Sequence, residues 1–136
     1  MIFLDTNVVI HFNKRNNPLL VKRITAAIDE GQVLVLSVIV LLELEVGVRH
    51  SAWPDVARAR LDKFLTNIAA IPMFEGADAV TAAELKSRLE KRGEPIGSYD
   101  LLIAAQVLRW DAVFVTNNTR EFSRIPGLKL EDWTMP

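Results

Sequence analysis

Apolar runs of strand length alternate along the chain with longer stretches of helical period. Met1 to Leu4 is a short buried-strand pattern that stops at Asp5-Thr6-Asn7, whose side chains suit a turn or a helix cap. A polar stretch from Asn13 to Pro18 interrupts. Leu19 to Glu30 then carries apolar residues at 20, 21, 24, 27 and 28, a helical stripe closed by Gly31. Val33 to Leu36 reads as a second strand. Val38 to Val48 is rich in β-branched residues, but its length, the cap-like Ser37 and Gly47 near its end predict a helix. Further helices are predicted over Asp55 to Ile68, behind Pro54, and over Ala77 to Arg92, where Lys91-Arg92-Gly93 suits a helix C-terminus. Ala70 to Met73 is a short strand candidate. Ser98 opens a helix through Trp110 that is apolar on nearly every face beyond Asp100 and so must lie inside the fold. Asp111 to Val115 is a strand, Thr116 to Thr119 a polar turn, and Leu128 to Leu130 a last short strand.

Strands alternating with helices predict an α/β fold, a three-layer αβα sandwich around a short, mainly parallel central sheet. Ligands of such sheets bind outside the carboxyl ends of the strands, so the residues leaving each strand are the first candidates for chemistry. A length of 136 residues fits a single domain over 1–136. The chain has no Cys and only His11 and His50, which excludes disulfides, thiolate sites and cysteine nucleophiles and leaves little for a zinc site. The formal net charge of −1 provides no global basic field for nucleic acid. The longest apolar stretch, Val33 to Leu42, falls well short of the roughly 20 residues of a membrane span. Without a signal-like leader either, a cytoplasmic protein with no membrane partner is expected.

Carboxylates dominate what remains. Asp5 sits where an apolar strand stops, which suits a helix cap and a cation ligand equally well. Glu43 and Glu45 lie about 200° apart on an otherwise apolar helix, so one of them is expected to turn inward. Asp100 opens the most apolar helix, where the helix dipole alone would favour it. Taken together, three carboxylates at strand ends or on buried helices repel one another unless a cation lies between them. Their hard oxygens suit Mg²⁺, with Mn²⁺ as a substitute.

Four blocks then resemble the signatures of PIN-domain nucleases, and especially the VapC toxins of type II toxin–antitoxin systems. These are Ile2-Phe3-Leu4-Asp5-Thr6-Asn7, Ser37 with Glu43-Leu44 and Gly47, Pro95-Ile96-Gly97-Ser98-Tyr99-Asp100 with Ile103-Ala104, and Thr116-Asn117-Asn118-Thr119-Arg120-Glu121-Phe122 followed by Ile125-Pro126-Gly127-Leu128. The resemblance implies a PIN-like nuclease domain in which Asp5 and Asp100 are magnesium ligands and Glu43 completes the acidic pocket. It places Asn118 where many members carry a fourth acid, with Glu121 the nearest carboxylate after it and the metal count left open. Thr116 would line the pocket, and Val40 replaces a Thr often seen before the Glu. Glu45 matches nothing catalytic and is assigned to the surface.

The implied activity is Mg-dependent endoribonuclease cleavage by the toxin of a toxin–antitoxin pair, leaving a 5′-phosphate. Candidate phosphate contacts are Lys14 and Arg15 in a loop beside Asp5, the cluster Lys86, Arg88, Lys91 and Arg92, and Arg120. The resemblance also implies a homodimer and a cognate antitoxin. The antitoxin's groove is expected between the Leu19–Ile28 helix and the helices from Val38 to Ile68, including Trp53. Two alternatives stay open: a catalytically weakened PIN-fold protein that only binds RNA or partners, and an aspartate-dependent phosphatase, which would want a second Asp where Asn7 stands.

Overall fold

A computed structural model describes residues 1–136. Its elements in chain order are β1 (Ile2–Leu4), α1 (Thr6–Lys14), α2 (Pro18–Asp29), β2 (Leu34–Val35), α3 (Val38–Arg49), α4 (Pro54–Leu65), α5 (Gly76–Lys91), α6 (Ser98–Arg109), β3 (Val113–Val115), α7 (Thr119–Phe122) and β4 (Lys129–Glu131). The four strands form one parallel sheet in the order β2-β1-β3-β4. Beyond β1 the chain crosses outward to β2, and beyond β3 it crosses the opposite way to β4. The carboxyl ends of β1 and β3 therefore flank the point where the winding reverses, the place such sheets keep for a ligand. Helix α1 packs against α2 and also against α3 and α4, with the rings of Phe12 and Phe64 5.6 Å apart between α1 and α4.

The strands β1, β2 and β3 are covered on both faces, which is why they read as unbroken apolar runs, whereas the edge strand β4 is largely exposed. Phe3, Leu4, Phe114 and Val115 are fully buried. Phe122 on α7 meets Phe114 edge-on at 4.9 Å between ring centroids, which anchors the short helix over β3. Helix α6 packs between α5 and α3 and buries Leu101, Ile103, Ala104, Ala105, Gln106 and Val107, as its all-round apolar pattern requires.

The structure differs from the sequence pattern at three places. Ala70 to Met73 forms no strand; a single bridge joins Ala70 to Val35, because the chain touches the edge of β2 and moves off into α5. The stretch from Asn13 is not wholly irregular, since α1 runs to Lys14. Lys14 and Arg15 consequently stand at the far end of a nine-residue helix, about 13 Å along its axis from Asp5, and not in a loop beside it. Finally, the polar turn after β3 leads into α7, a helix of one turn that begins at Thr119.

Candidate active site

Asp5 is buried at the end of β1 and performs the first of its two possible roles outright. Its Oδ1 accepts the backbone N–H of Thr6 at 2.8 Å, capping α1. Its Oδ2 accepts the hydroxyl of Thr116 at 2.7 Å, across from the end of β3. The strands are locked together at this level, with the N–H of Asp5 donating to the carbonyl of Val115 at 2.9 Å. The same Thr116 hydroxyl accepts the N–H of Asn118 at 3.0 Å, so one side chain fixes both the carboxylate and the turn beyond β3.

Glu43 comes from α3, and the hydroxyl of Thr6 donates to its Oε1 at 2.7 Å. Of the two glutamates on this helix, Glu43 is the one that turns inward. Glu45 stays outside, held by Arg58 of α4 and by Arg49 one turn on, and these guanidiniums lower its carboxyl to about 2. Asp100 lies in the first turn of α6, where burial and the surrounding carboxylates push it up to about 7. Burial is the main cause, followed by the negative charges of Glu121, Asp5 and Glu43 and a hydrogen bond with Glu121. Burial likewise raises Asp5 against its two hydrogen bonds, with the charges of Glu43 and Glu121 adding to the effect. The electrostatics thus mark out four mutually repelling carboxylates, Asp5, Glu43, Asp100 and Glu121.

Glu121 is the member that the sequence left without a role. It stands three residues after Asn118, a spacing that shares a helix face, but reading the segment as a turn hides that. In the structure its Oε1 accepts the N–H of Gly97 at 2.7 Å and its Oε2 accepts the Asn118 side-chain amide at 3.1 Å. Gly97 lies so near that a Cβ there would stand 3.6 Å from Oδ2 of Asp100 and 3.8 Å from Oε1 of Glu121. Thr6 is the second residue passed over, taken for a turn former while its hydroxyl orients Glu43.

None of the four acids takes part in an ion pair. No three of them form a ready coordination set on their own. The donors are all carboxylate oxygens, and the charge they gather is uncompensated. Such a set fits a hard divalent cation that keeps several waters and takes one or two carboxylates with a substrate phosphate.

The basic candidates separate. Arg120, on the first turn of α7 beside Glu121, is exposed and unpaired. Lys86 pairs with Glu90 at 2.7 Å on α5 and borders a shallow depression with Pro95, Ile96 and Leu101, next to the loop that leads to Asp100. The apolar groove is real but is built by α1, α3 and α4, with no contribution from α2. Ile10, Leu44, Val48, Trp53, Val56 and Leu61 line a volume of about 390 Å³. No helix is long and apolar enough to cross a membrane.

Comparison with known proteins identifies the family. The family model described as the PIN domain matches residues 2–128. The chain is 34% identical to the tRNA(fMet)-specific endonuclease VapC of Shigella flexneri and 39% identical to ribonuclease VapC2 of Rickettsia felis, with 96% of each chain covered in both cases. It superposes with a TM-score of 0.88 and 34% identity on a chain of the Rickettsia felis VapBC2 complex bound to a promoter DNA fragment, covering 98% of this chain and 99% of that one.

Proposed function

The chain belongs to the PIN domain family, and on that premise we propose that it is a magnesium-dependent endoribonuclease of the VapC type, the toxin of a toxin–antitoxin pair. The observation that carries this reading is the convergence of Asp5, Glu43, Asp100 and Glu121 at the carboxyl ends of β1 and β3 with no cation paired to them.

Asp5 and Asp100 would hold the magnesium ion, with Glu43 completing the pocket. When bound, such an ion offsets charge on the scissile phosphate and lowers the pKa of a water that attacks it. The chain's own part is to place the groups. Thr116 and the Thr6 N–H keep the Asp5 carboxylate in one orientation, and the Thr6 hydroxyl does the same for Glu43 while leaving its Oε2 without a protein partner. That free Oε2 would serve as the general base that takes the proton of the attacking water, with the carboxyl of Asp100 as the second candidate. Asn118 occupies the place of a fourth acid and donates to Glu121, so the negative charge at this corner comes from Glu121. Arg120 on one side and Lys86 on the other are suited to the flanking phosphates.

The partner is a cognate antitoxin whose apolar segment fills the groove between α1, α3 and α4. This reading draws on the toxin–antitoxin complexes among the structural relatives.

Cleavage of total RNA by the wild type and by Asp5→Asn, with and without Mg²⁺, tests the function. Mg²⁺-dependent cleavage by the wild type alone is the expected result. Equal cleavage by both removes the role of Asp5, and cleavage by neither favours a binding protein of the same fold.

A further inference from the structure

One exposed aromatic residue immediately precedes an acid of the pocket in the chain. Tyr99, the chain's only tyrosine, lies in the first turn of α6 immediately before Asp100 and is 50% exposed. Gly97 and Ser98 ahead of it are exposed and too small to cover it. The exposed tryptophans are engaged elsewhere. Trp53 lines the apolar groove, and Trp110 lies beneath the Arg109 guanidinium at the opposite end of α6. The bond from Gly97 N–H to Glu121 draws α7 against the start of α6, so the segments that carry the unpaired Arg120 and Tyr99 meet beside the acids.

The acids make this juxtaposition meaningful. Four carboxylates repel a phosphate backbone, and no cation of the chain is paired with them to soften the field. A strand crossing the pocket therefore needs a hold that does not depend on charge. Base stacking on an aromatic ring is such a hold, and it is how unpaired RNA is commonly seized. We propose that Tyr99 is a base-stacking platform, seating an unpaired RNA base next to the phosphate that the acids address. This rests on the ribonuclease reading above for its substrate class.

The experiment compares the wild type with Tyr99→Ala, Tyr99→Phe and Tyr99→Trp on a short single-stranded oligoribonucleotide and on copies carrying one abasic site at successive positions. Tyr99→Ala is expected to raise KM about tenfold with kcat nearly unchanged, in line with the usual strength of one base–aromatic stack. Phe and Trp should restore KM, and the penalty should vanish on one abasic copy only. An unchanged KM, an equal penalty on every copy, or a changed molecular mass in light scattering in place of a changed KM overturns the proposal. Binding of the same oligonucleotide with 2-aminopurine in place of single bases, in EDTA, tests the stack apart from cleavage. Quenching by the wild type that Tyr99→Ala abolishes supports the platform even if no cleavage is found, and absence of quenching at every position overturns it.

Discussion

The hydroxyl of Thr116 donates to Oδ2 of Asp5 over 2.7 Å, joining the residue that follows β1 to the residue that follows β3. The pair sits at the point where the sheet's winding reverses, and through the N–H of Asn118 it also sets the turn into α7. Orientation of the central carboxylate is thus a property of the sheet itself, fixed before any cation or substrate arrives.

The repulsion in the pocket has a consequence for stability. Asp100 has its carboxyl raised to about 7 in the folded chain against an ordinary 3.8, so the unfolded chain gives up this proton at lower pH. The fold therefore loses stability as pH rises from about 4 to about 7, and the loss is complete above that range. Asp100→Asn abolishes it. In EDTA at pH 8 the variant should be more stable than the wild type by about 2 kcal/mol after discounting for solvent in the pocket, roughly 6 °C in Tm. At pH 4 the difference should be close to zero. Mg²⁺ should raise the Tm of the wild type and leave that of the variant nearly unchanged. Thermal denaturation followed by circular dichroism at the two pH values checks each of these.

Glu121 and Asn118 should separate in their effects. Glu121→Gln removes a pocket charge and should weaken Mg²⁺ binding by roughly tenfold, on the scale of removing a supporting carboxylate from a metal site. Asn118→Ala removes only the hydrogen bond to Glu121 and should cost less. Calorimetric titration with Mg²⁺ ranks them, and the reverse order would assign the fourth position to Asn118.

Gln106 is buried and makes two hydrogen bonds, accepting the Ser37 hydroxyl at 2.6 Å and donating to the carbonyl of Pro72 at 3.0 Å. Gln106→Ala leaves both partners unmatched beside a new cavity. A loss of about 3 kcal/mol in urea unfolding is expected.

Val56 is exposed on α4 and lines the apolar groove, which includes none of the four acids. Val56→Asp should abolish co-purification with the antitoxin and leave RNA cleavage by the isolated protein within about twofold, as a surface change away from the chemistry should. Retained co-purification would move the antitoxin off this groove.

The sheet, the long helices and two of the four acids, Asp5 and Asp100, were legible because each depends on local pattern. Strands covered on both faces must be continuously apolar, α6 must be apolar all round, and a carboxylate where such an element begins or ends has few reasons to be there. Glu43 could be told from Glu45 only through the family resemblance; the structure gives the physical reason, since Arg58 reaches Glu45 from a different helix. Glu121 and Thr6 were not legible. The first depends on one short helical turn docked by Phe122, and the second on a hydroxyl crossing from α1 to α3. The strand expected at Ala70 failed for a similar reason, because its apolar residues pack as a connection and pair at a single position.

Asp5 closes the first turn of α1 with the same carboxylate that faces the other acids. Truncation to alanine would open that turn and discharge the pocket at once, so a loss of activity could not be told from a loosened helix. Asparagine keeps an oxygen for the Thr6 N–H, removes the charge, and turns an amide N–H toward Thr116, whose hydroxyl then accepts where it had donated. One atom thus separates folding from chemistry, and an inert protein of unaltered shape, still able to meet its partner, lies a single substitution away.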